Sequence, residues 1–123
     1  MAQVHRTPEA WIDIEIYRGA TFSLRFTYRE RETQDIIPLD GADVYMQVRD
    51  DAGDLLHEAT TANGEISTDV DGRVEITIPP DETSGFTWGR GTYDIFVVRP
   101  GGTFTDVVAR GCAVVTPNIT EVP

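Results

Sequence analysis

With 123 residues, 40% of them hydrophobic and 25% charged, the chain has the size and composition of one globular domain rather than of a disordered segment. Ten basic against 21 acidic residues give a formal net charge of −11, which opposes binding to nucleic acid or to anionic membranes. Cys112 is the only cysteine, so no intrachain disulfide can form, and we recognise neither a secretory signal nor an apolar run of membrane-spanning length.

The first half of the chain predicts strands. Residues 1–10 are polar and aperiodic, and we expect an extended arm there. Residues 11–17 alternate, with isoleucine inward at every second position, as is typical of a half-buried strand. Residues 21–29 alternate again and give the clearest strand prediction, because aromatic side chains dominate their inward face.

The segment 42–50 alternates strictly and follows an Asp-Gly turn signal. Its inward residues are Val44, Met46 and Val48, and its outward residues include Tyr45, Gln47 and Arg49. This pattern predicts a strand with a buried face and a separate polar surface that a partner could contact.

Turn signals divide the second half into further short strands. The predicted strands are 55–60, 65–68, 73–78, 91–99 and 103–116, with a bulge expected near 109–111. Asn63-Gly64 is a hairpin signal, and Pro79-Pro80 ends a strand before a single helical turn with Asp81 as a possible N-cap. Segment 93–98 is apolar on nearly both faces, which predicts a central position in a sheet.

These elements predict an all-β fold, a single antiparallel β-sandwich of about eight or nine strands with extended terminal arms. We expect antiparallel sheets because parallel strands would need crossover helices, and no helical periodicity is present. The expected organisation is an N-terminal arm at 1–10, the sandwich at 11–116 and a C-terminal tail at 117–123.

Catalytic signatures are weak. His5 and His57 lie far apart in the sequence, and a metal or catalytic role would require them to meet carboxylates in space. We therefore interpret His5 as an arm residue and His57 as a surface-strand residue. The aspartates near Gly53 and Gly72 fit solvated turns better than calcium loops. No serine lies in a nucleophile elbow, and Cys112 fits a small buried hydrophobe. We therefore expect no enzyme activity, cofactor or metal.

Aromatic residues at outward or loop positions are the more informative signal. Trp11, Tyr45, Phe86 and Trp88 could cap the edge of the core, or could anchor an interface, since Trp and Tyr dominate binding hot spots. The candidate protein-interaction residues are Trp11, Tyr45, Gln47, Arg49 and Trp88. The polar, proline-bearing ends of the chain also suit an arm that adds to a neighbour's sheet.

The order of several short motifs completes the sequence pattern. The motifs are Ile14-Glu15-Ile16-Tyr17-Arg18-Gly19, Thr21-Phe22-Ser23-Leu24-Arg25-Phe26, Pro38-Leu39-Asp40-Gly41-Ala42 with the strand after it, Asp71-Gly72-Arg73-Val74-Glu75-Ile76-Thr77-Ile78-Pro79, Gly91-Thr92-Tyr93-Asp94-Ile95, Arg110-Gly111 and Val115-Thr116-Pro117-Asn118-Ile119-Thr120. Over residues 12–120 this series resembles small β-sandwich virion proteins of tailed bacteriophages and prophages. Those proteins are similar to the immunoglobulin-like domains of baseplate, tail-fibre-attachment and capsid-associated proteins.

The resemblance implies a non-enzymatic virion component, made in the host bacterial cytoplasm, that binds neighbouring virion proteins in a symmetric multi-copy assembly. It transfers no catalytic residue. A carbohydrate- or receptor-binding module that uses Trp11, Tyr45 or Trp88 as a stacking platform is the alternative. A small hydrolase is a third reading, and it would require His57 to lie close to a carboxylate or a serine.

Overall fold

The computed structural model describes residues 10–30, 32–102 and 104–120, which form two β-sheets, one α-helical turn and one short 3-10 turn (Pro100–Gly102). The strands are β1 (Ala10–Trp11), β2 (Ile14–Tyr17), β3 (Phe22–Thr27), β4 (Asp43–Arg49), β5 (Leu55–Thr60), β6 (Ile66–Thr68), β7 (Arg73–Ile78), β8 (Arg90–Val98) and β9 (Thr105–Thr116), with helix α1 (Pro80–Thr83) between β7 and β8. The large sheet has the order β1-β9-β8-β4-β5, with β2 also on β9, and the small sheet has the order β3-β7-β6. This confirms the predicted all-β sandwich.

The core lies between the two sheets and follows the predicted alternation. Val44, Met46 and Val48 of β4 are buried, as are alternate residues of β7 and β8. Strand β8 lies between β9 and β4, as its two apolar faces predict. Each sheet packs one face on the other sheet and leaves its second face in solvent, and for this reason alternation identified the buried faces.

One pairing differs from the expected antiparallel arrangement. Strands β1 and β2 both pair with β9 in parallel, with Trp11 opposite Arg110 and Ile14 opposite Ala113. The expectation assumed that a parallel pair needs a helical crossover. Here the paired strands come from opposite ends of the chain, and the rest of the domain is the connection between them.

The predicted first strand is also interrupted. Ile12 is 37% exposed instead of inward, and its backbone lies against Gly111 of β9. A Cβ atom on Gly111 would lie 2.0 Å from the Ile12 carbonyl oxygen, so only glycine permits this approach. The buried Tyr93 hydroxyl donates a hydrogen bond of 2.5 Å to the same oxygen. These two contacts attach the N-terminal strands to the large sheet.

Three local predictions need correction. The Asn63-Gly64 turn does not close a hairpin, because β5 belongs to the large sheet and β6 to the small one. The helical turn has Pro79 at its N-cap without a side-chain cap, so Asp81 does not cap it. The bulge in β9 occurs at Val108, which lies between the residues that pair with Ile95 and Phe96 of β8. It therefore comes just before the predicted position at 109–111.

The predicted N-terminal arm with His5 lies outside the described residues except for Ala10, as do residues 31, 103 and 121–123. In the portion that the structure does describe, no helix has the length and apolar character needed to cross a membrane.

We expect Gly111→Ala to destabilise the domain by about 1–3 kcal/mol, because the added methyl group collides with the Ile12 backbone. Gly89→Ala is the matched control, since nothing lies within 4 Å of a Cβ atom there. Urea denaturation measures both free energies of unfolding. Equal stability of the two variants would contradict the role given to Gly111.

Tyr93 makes stability sensitive to alkaline pH. Burial, and secondarily the Asp13 charge, raise the pKa of Tyr93 from 10.0 to about 12. The folded state therefore holds the phenol proton more tightly, so the stabilisation is complete below pH 10 and is lost as the pH rises through about 12.

Tyr93→Phe should reduce this loss, although it also removes the hydrogen bond to Ile12 and costs about 1 kcal/mol near neutral pH. Urea denaturation at about pH 9 and about pH 11 measures how steeply the free energy of unfolding falls with pH. Tyr45→Phe, on an exposed tyrosine, is the control. An unchanged alkaline slope in Tyr93→Phe would contradict the assignment.

Candidate functional site

The side of the large sheet that faces away from the small sheet, called here the outer face, gathers most of the predicted interaction residues. One row of paired positions crosses five of the six strands of the sheet. In order from β1 to β5 the row is Trp11, Arg110, Asp94, Gln47 and Glu58. The row exists because β1 joins the edge of β9 at Arg110. Without that pairing Trp11 would lie outside the sheet.

Hydrogen bonds hold the β4 side of the outer face in a defined conformation. The Arg49 guanidinium donates to the Gln47 side-chain oxygen at 2.8 and 3.2 Å, and to the Gly53 carbonyl oxygen at 2.8 Å. The Gln47 amide in turn donates to a Glu58 carboxylate oxygen at 2.7 Å. Because these contacts fix the side chains before binding, a partner would meet them with a reduced entropic cost.

Trp11 is similarly positioned at the other end of the row. Its indole nitrogen donates a 3.0 Å hydrogen bond to the Asp13 carboxylate, and the same oxygen accepts the Cys112 backbone N–H at 3.0 Å. The Arg110 guanidinium lies 5.9 Å from the centre of the indole ring, within cation–π distance. Trp11 as a whole is nevertheless 61% exposed. It is a fixed aromatic surface open to solvent.

A shallow concavity of about 380 Å³ lies among these side chains. Its lining includes Trp11, Gln47, Arg49, Asp94, Phe96 and Arg110. Tyr45, 42% exposed, is paired with Phe96 on the same face. An aromatic rim beside two guanidinium groups can accept aromatic, acidic or amide groups of a partner.

Four of the five predicted interaction residues therefore share the outer face, and Trp88 does not. Trp88 is half-buried, with its ring centre 5.1 Å from that of Phe86. Phe86 is buried rather than exposed, and its carbonyl oxygen accepts a 2.8 Å hydrogen bond from Arg18. The segment after α1 thus folds back over the end of the sandwich. Alternation could not predict this because the segment is not a strand.

His57 is not the surface-strand residue that we expected. It lies opposite Val48, so its side chain points into the sandwich, where its Nε2 atom is 2.7 Å from a Glu65 carboxylate oxygen. The sequence contained no signal for this contact, because a hairpin at Asn63-Gly64 would place residue 57 opposite a residue several positions beyond 65.

A second buried polar cluster has a structural role. The Tyr28 hydroxyl donates to the Asp106 carboxylate at 3.1 Å and accepts from the Arg99 guanidinium at 3.0 Å. Burial is the main cause that raises the pKa of Tyr28. The guanidinium also packs 4.5 Å from the Phe104 ring centre. This cluster connects the end of β3 with the β8–β9 turn.

Comparisons with known proteins find similarity among solved structures. No protein-family model and no curated protein matches the chain. Among solved structures, the chain is similar to the extracellular domain of the voltage-gated sodium channel beta4 subunit, whose parallel homodimers are described in relation to cell–cell adhesion. That similarity has a TM-score of 0.42 and 9% sequence identity, and it covers 95% of this chain and 100% of the other. At such values it supports no inference about the function of this chain.

The outer face should be separable from the fold by mutation. Tyr45→Ala with Arg49→Ala removes exposed side chains, so we expect a loss of about 1 kcal/mol or less in the free energy of unfolding. Val48→Asp, one position away in the alternation, should unfold the domain by burying an unpaired charge. Circular dichroism shows whether each variant is folded, and urea denaturation measures its free energy of unfolding. Unfolding of the double variant would show that the outer face serves the fold instead.

Proposed function

We propose that this protein is a non-enzymatic structural component of a tailed-bacteriophage or prophage virion, which binds neighbouring virion proteins through its outer face and its terminal segments. It acts in many symmetric copies within the particle. The motif order along 12–120 supports the class of protein, and the prearranged outer face supports the mode of action. The acidic charge of −11 suits contact with basic protein patches and not with packaged DNA.

The proposal rests on one observation: the side chains of the outer face are exposed to solvent and are also held in fixed conformations by hydrogen bonds. Trp11 presents a large ring to solvent while Asp13 fixes its orientation. Arg49 is extended along the strand surface by Gln47 and Gly53. Tryptophan, tyrosine and arginine are the residues most enriched in binding hot spots. A surface of this kind fits a protein-binding role better than it fits catalysis.

The described part of the C-terminal tail supports a second contact. Ile119 is 99% exposed, and it borders a concavity of about 650 Å³ that also includes Tyr17 and Pro117. A fully exposed isoleucine loses its contact with water when it enters an apolar pocket of a neighbour. The tail would thus fasten one subunit to the next, as expected for an arm in a symmetric assembly.

Particle composition tests this proposal directly. Particles purified from a producing strain should contain the protein in stoichiometric amounts by quantitative mass spectrometry. In a strain that carries Trp11→Ala with Arg49→Ala, incorporation should fall by about tenfold or more, as expected when hot-spot residues are removed. Complete absence of the unmodified protein from particles would refute the virion role.

Arg25→Ala is the matched control for that experiment. Arg25 is an exposed arginine on the outside of the small sheet, where it pairs with Glu75 at 2.9 Å. This variant should be incorporated normally. If Arg25→Ala and the outer-face variant are incorporated equally well, the outer face is not the contact even if the protein is a virion component.

Carbohydrate or receptor binding is the second candidate. It is favoured by the exposed Trp11 ring beside the polar groups of Gln47 and Arg49, because sugars stack on aromatic rings and bind polar groups at their edges. Trp88 cannot join this platform, since it packs against Phe86 instead. A glycan array with Trp11→Ala as the control separates the candidates. Saturable binding that the substitution abolishes would favour the sugar-binding role.

The hydrolase reading has partial geometric support, because His57 lies 2.7 Å from Glu65. The Ser84 hydroxyl, however, donates to the Pro80 carbonyl oxygen at 2.7 Å. We therefore keep the non-enzymatic function as the proposal and consider a different use for His57.

A further inference from the structure

His57, Glu65 and Glu82 converge at one edge of the sandwich, away from the outer face. They come from three segments: the edge strand β5, the residue before β6, and helix α1. One potential ligand atom from each side chain lies within 4.8 Å of the other two. The His57 Nε2 atom is 2.7 Å from Glu65, and its Nδ1 atom is 4.0 Å from Glu82.

The turn between β5 and β6 brings two of these groups together. Asn63 accepts the backbone N–H groups of Thr60 and Glu65, each at 3.0 Å, and its own amide donates to the Glu58 carbonyl oxygen at 3.0 Å. Gly64 takes a φ of +87° that favours glycine. The Asn63 side chain therefore holds the two backbone segments that carry His57 and Glu65 close together.

The third group is anchored independently. Thr83, next to Glu82 in α1, is fully buried, and its hydroxyl donates to the Ala20 carbonyl oxygen at 2.8 Å. The same hydroxyl oxygen accepts the Gly19 backbone N–H at 3.1 Å. These bonds fix α1 against the β2–β3 turn, so Glu82 stays at the rim of the cluster.

Burial and charge make this cluster suitable for a cation. The side chains of His57 and Glu65 are only 9% and 13% exposed, whereas that of Glu82 is 52% exposed and leaves a solvent entrance. The chain's basic residues are all arginine, and within the described ranges none forms an ion pair with Glu65 or Glu82. Two carboxylates therefore share one imidazole, and a divalent cation would balance their charge.

We propose that His57, Glu65 and Glu82 bind a divalent transition-metal ion of the Zn²⁺ type. One imidazole nitrogen with two carboxylates matches the borderline ligands that Zn²⁺ accepts, whereas Mg²⁺ and Ca²⁺ prefer oxygen alone. The fourth ligand is a water molecule on the Glu82 side. A metal-bound imidazole nitrogen carries no proton, so the ion takes the place of any proton between the His57 Nε2 atom and Glu65, and that proton leaves to solvent.

Only small movements are needed to form the site. Tetrahedral ligands at Zn²⁺ bond lengths of about 2.0–2.1 Å lie about 3.3 Å apart. The 2.7 Å contact between the His57 Nε2 atom and Glu65 must therefore widen slightly, and the most distant pair of ligand atoms must close from within 4.8 Å. The bound ion would link β5 of the large sheet to the start of β6 in the small sheet, and should therefore raise the melting temperature.

Titration of the full chain with ZnCl₂ tests the proposal. All measurements use a protein that carries His5→Ala, so that His57 is the only histidine in the sequence. Calorimetry should give one ion per chain, and Zn²⁺ should shift the NMR signals of the His57 ring. Co²⁺ should give the visible absorption of a low-coordinate nitrogen and oxygen site.

Glu82→Gln is the decisive variant, because Glu82 is exposed and its loss should not unfold the domain. It should weaken Zn²⁺ binding by about tenfold or more. Asp81→Asn, an exposed acid on the same helix, is the control and should bind as the parent does. Unmoved His57 signals, or equal affinity of Glu82→Gln and Asp81→Asn, would overturn the proposal.

Discussion

The close approach of the Ile12 backbone to Gly111 determines how the two ends of the chain meet. It allows β1 and β2 to join β9 in parallel, and the Tyr93 hydroxyl holds the same carbonyl oxygen from inside the sandwich. The large sheet gains its N-terminal edge in this way. A side chain at residue 111 would collide with the Ile12 backbone and weaken that edge.

The outer face depends on the same contact. Trp11 lies beside Arg110 only because β1 is in register with β9. The β4 side of the face would exist without this contact, since the bonds from Arg49 to Gln47 and from Gln47 to Glu58 are local to β4 and β5. The concavity between the Trp11 side and the β4 side, in contrast, would not exist without this contact. The proposed binding surface is therefore a consequence of how the domain closes.

The His57 cluster shows how the connection between two sheets can create a polar site. The turn after β5 crosses from the large sheet to the small one instead of closing a hairpin, so it brings an inward histidine near a carboxylate at the rim. A hairpin at Asn63-Gly64 would have kept both strands in one sheet. The outer face and this cluster lie on different sides of the domain, so protein binding and metal binding could be altered separately.

The sequence alone determined the all-β sandwich, the inward faces of the strands and the central place of β8, because alternation records which side of each strand is buried. It also identified Trp11, Tyr45, Gln47 and Arg49 as one class of outward residues. Only the tertiary structure decided the parallel pairing of β2 with β9, the burial of Phe86 and the meeting of His57 with Glu65 and Glu82. Those features depend on strand order and on the paths of loops between sheets, and a local period of two contains no information about either.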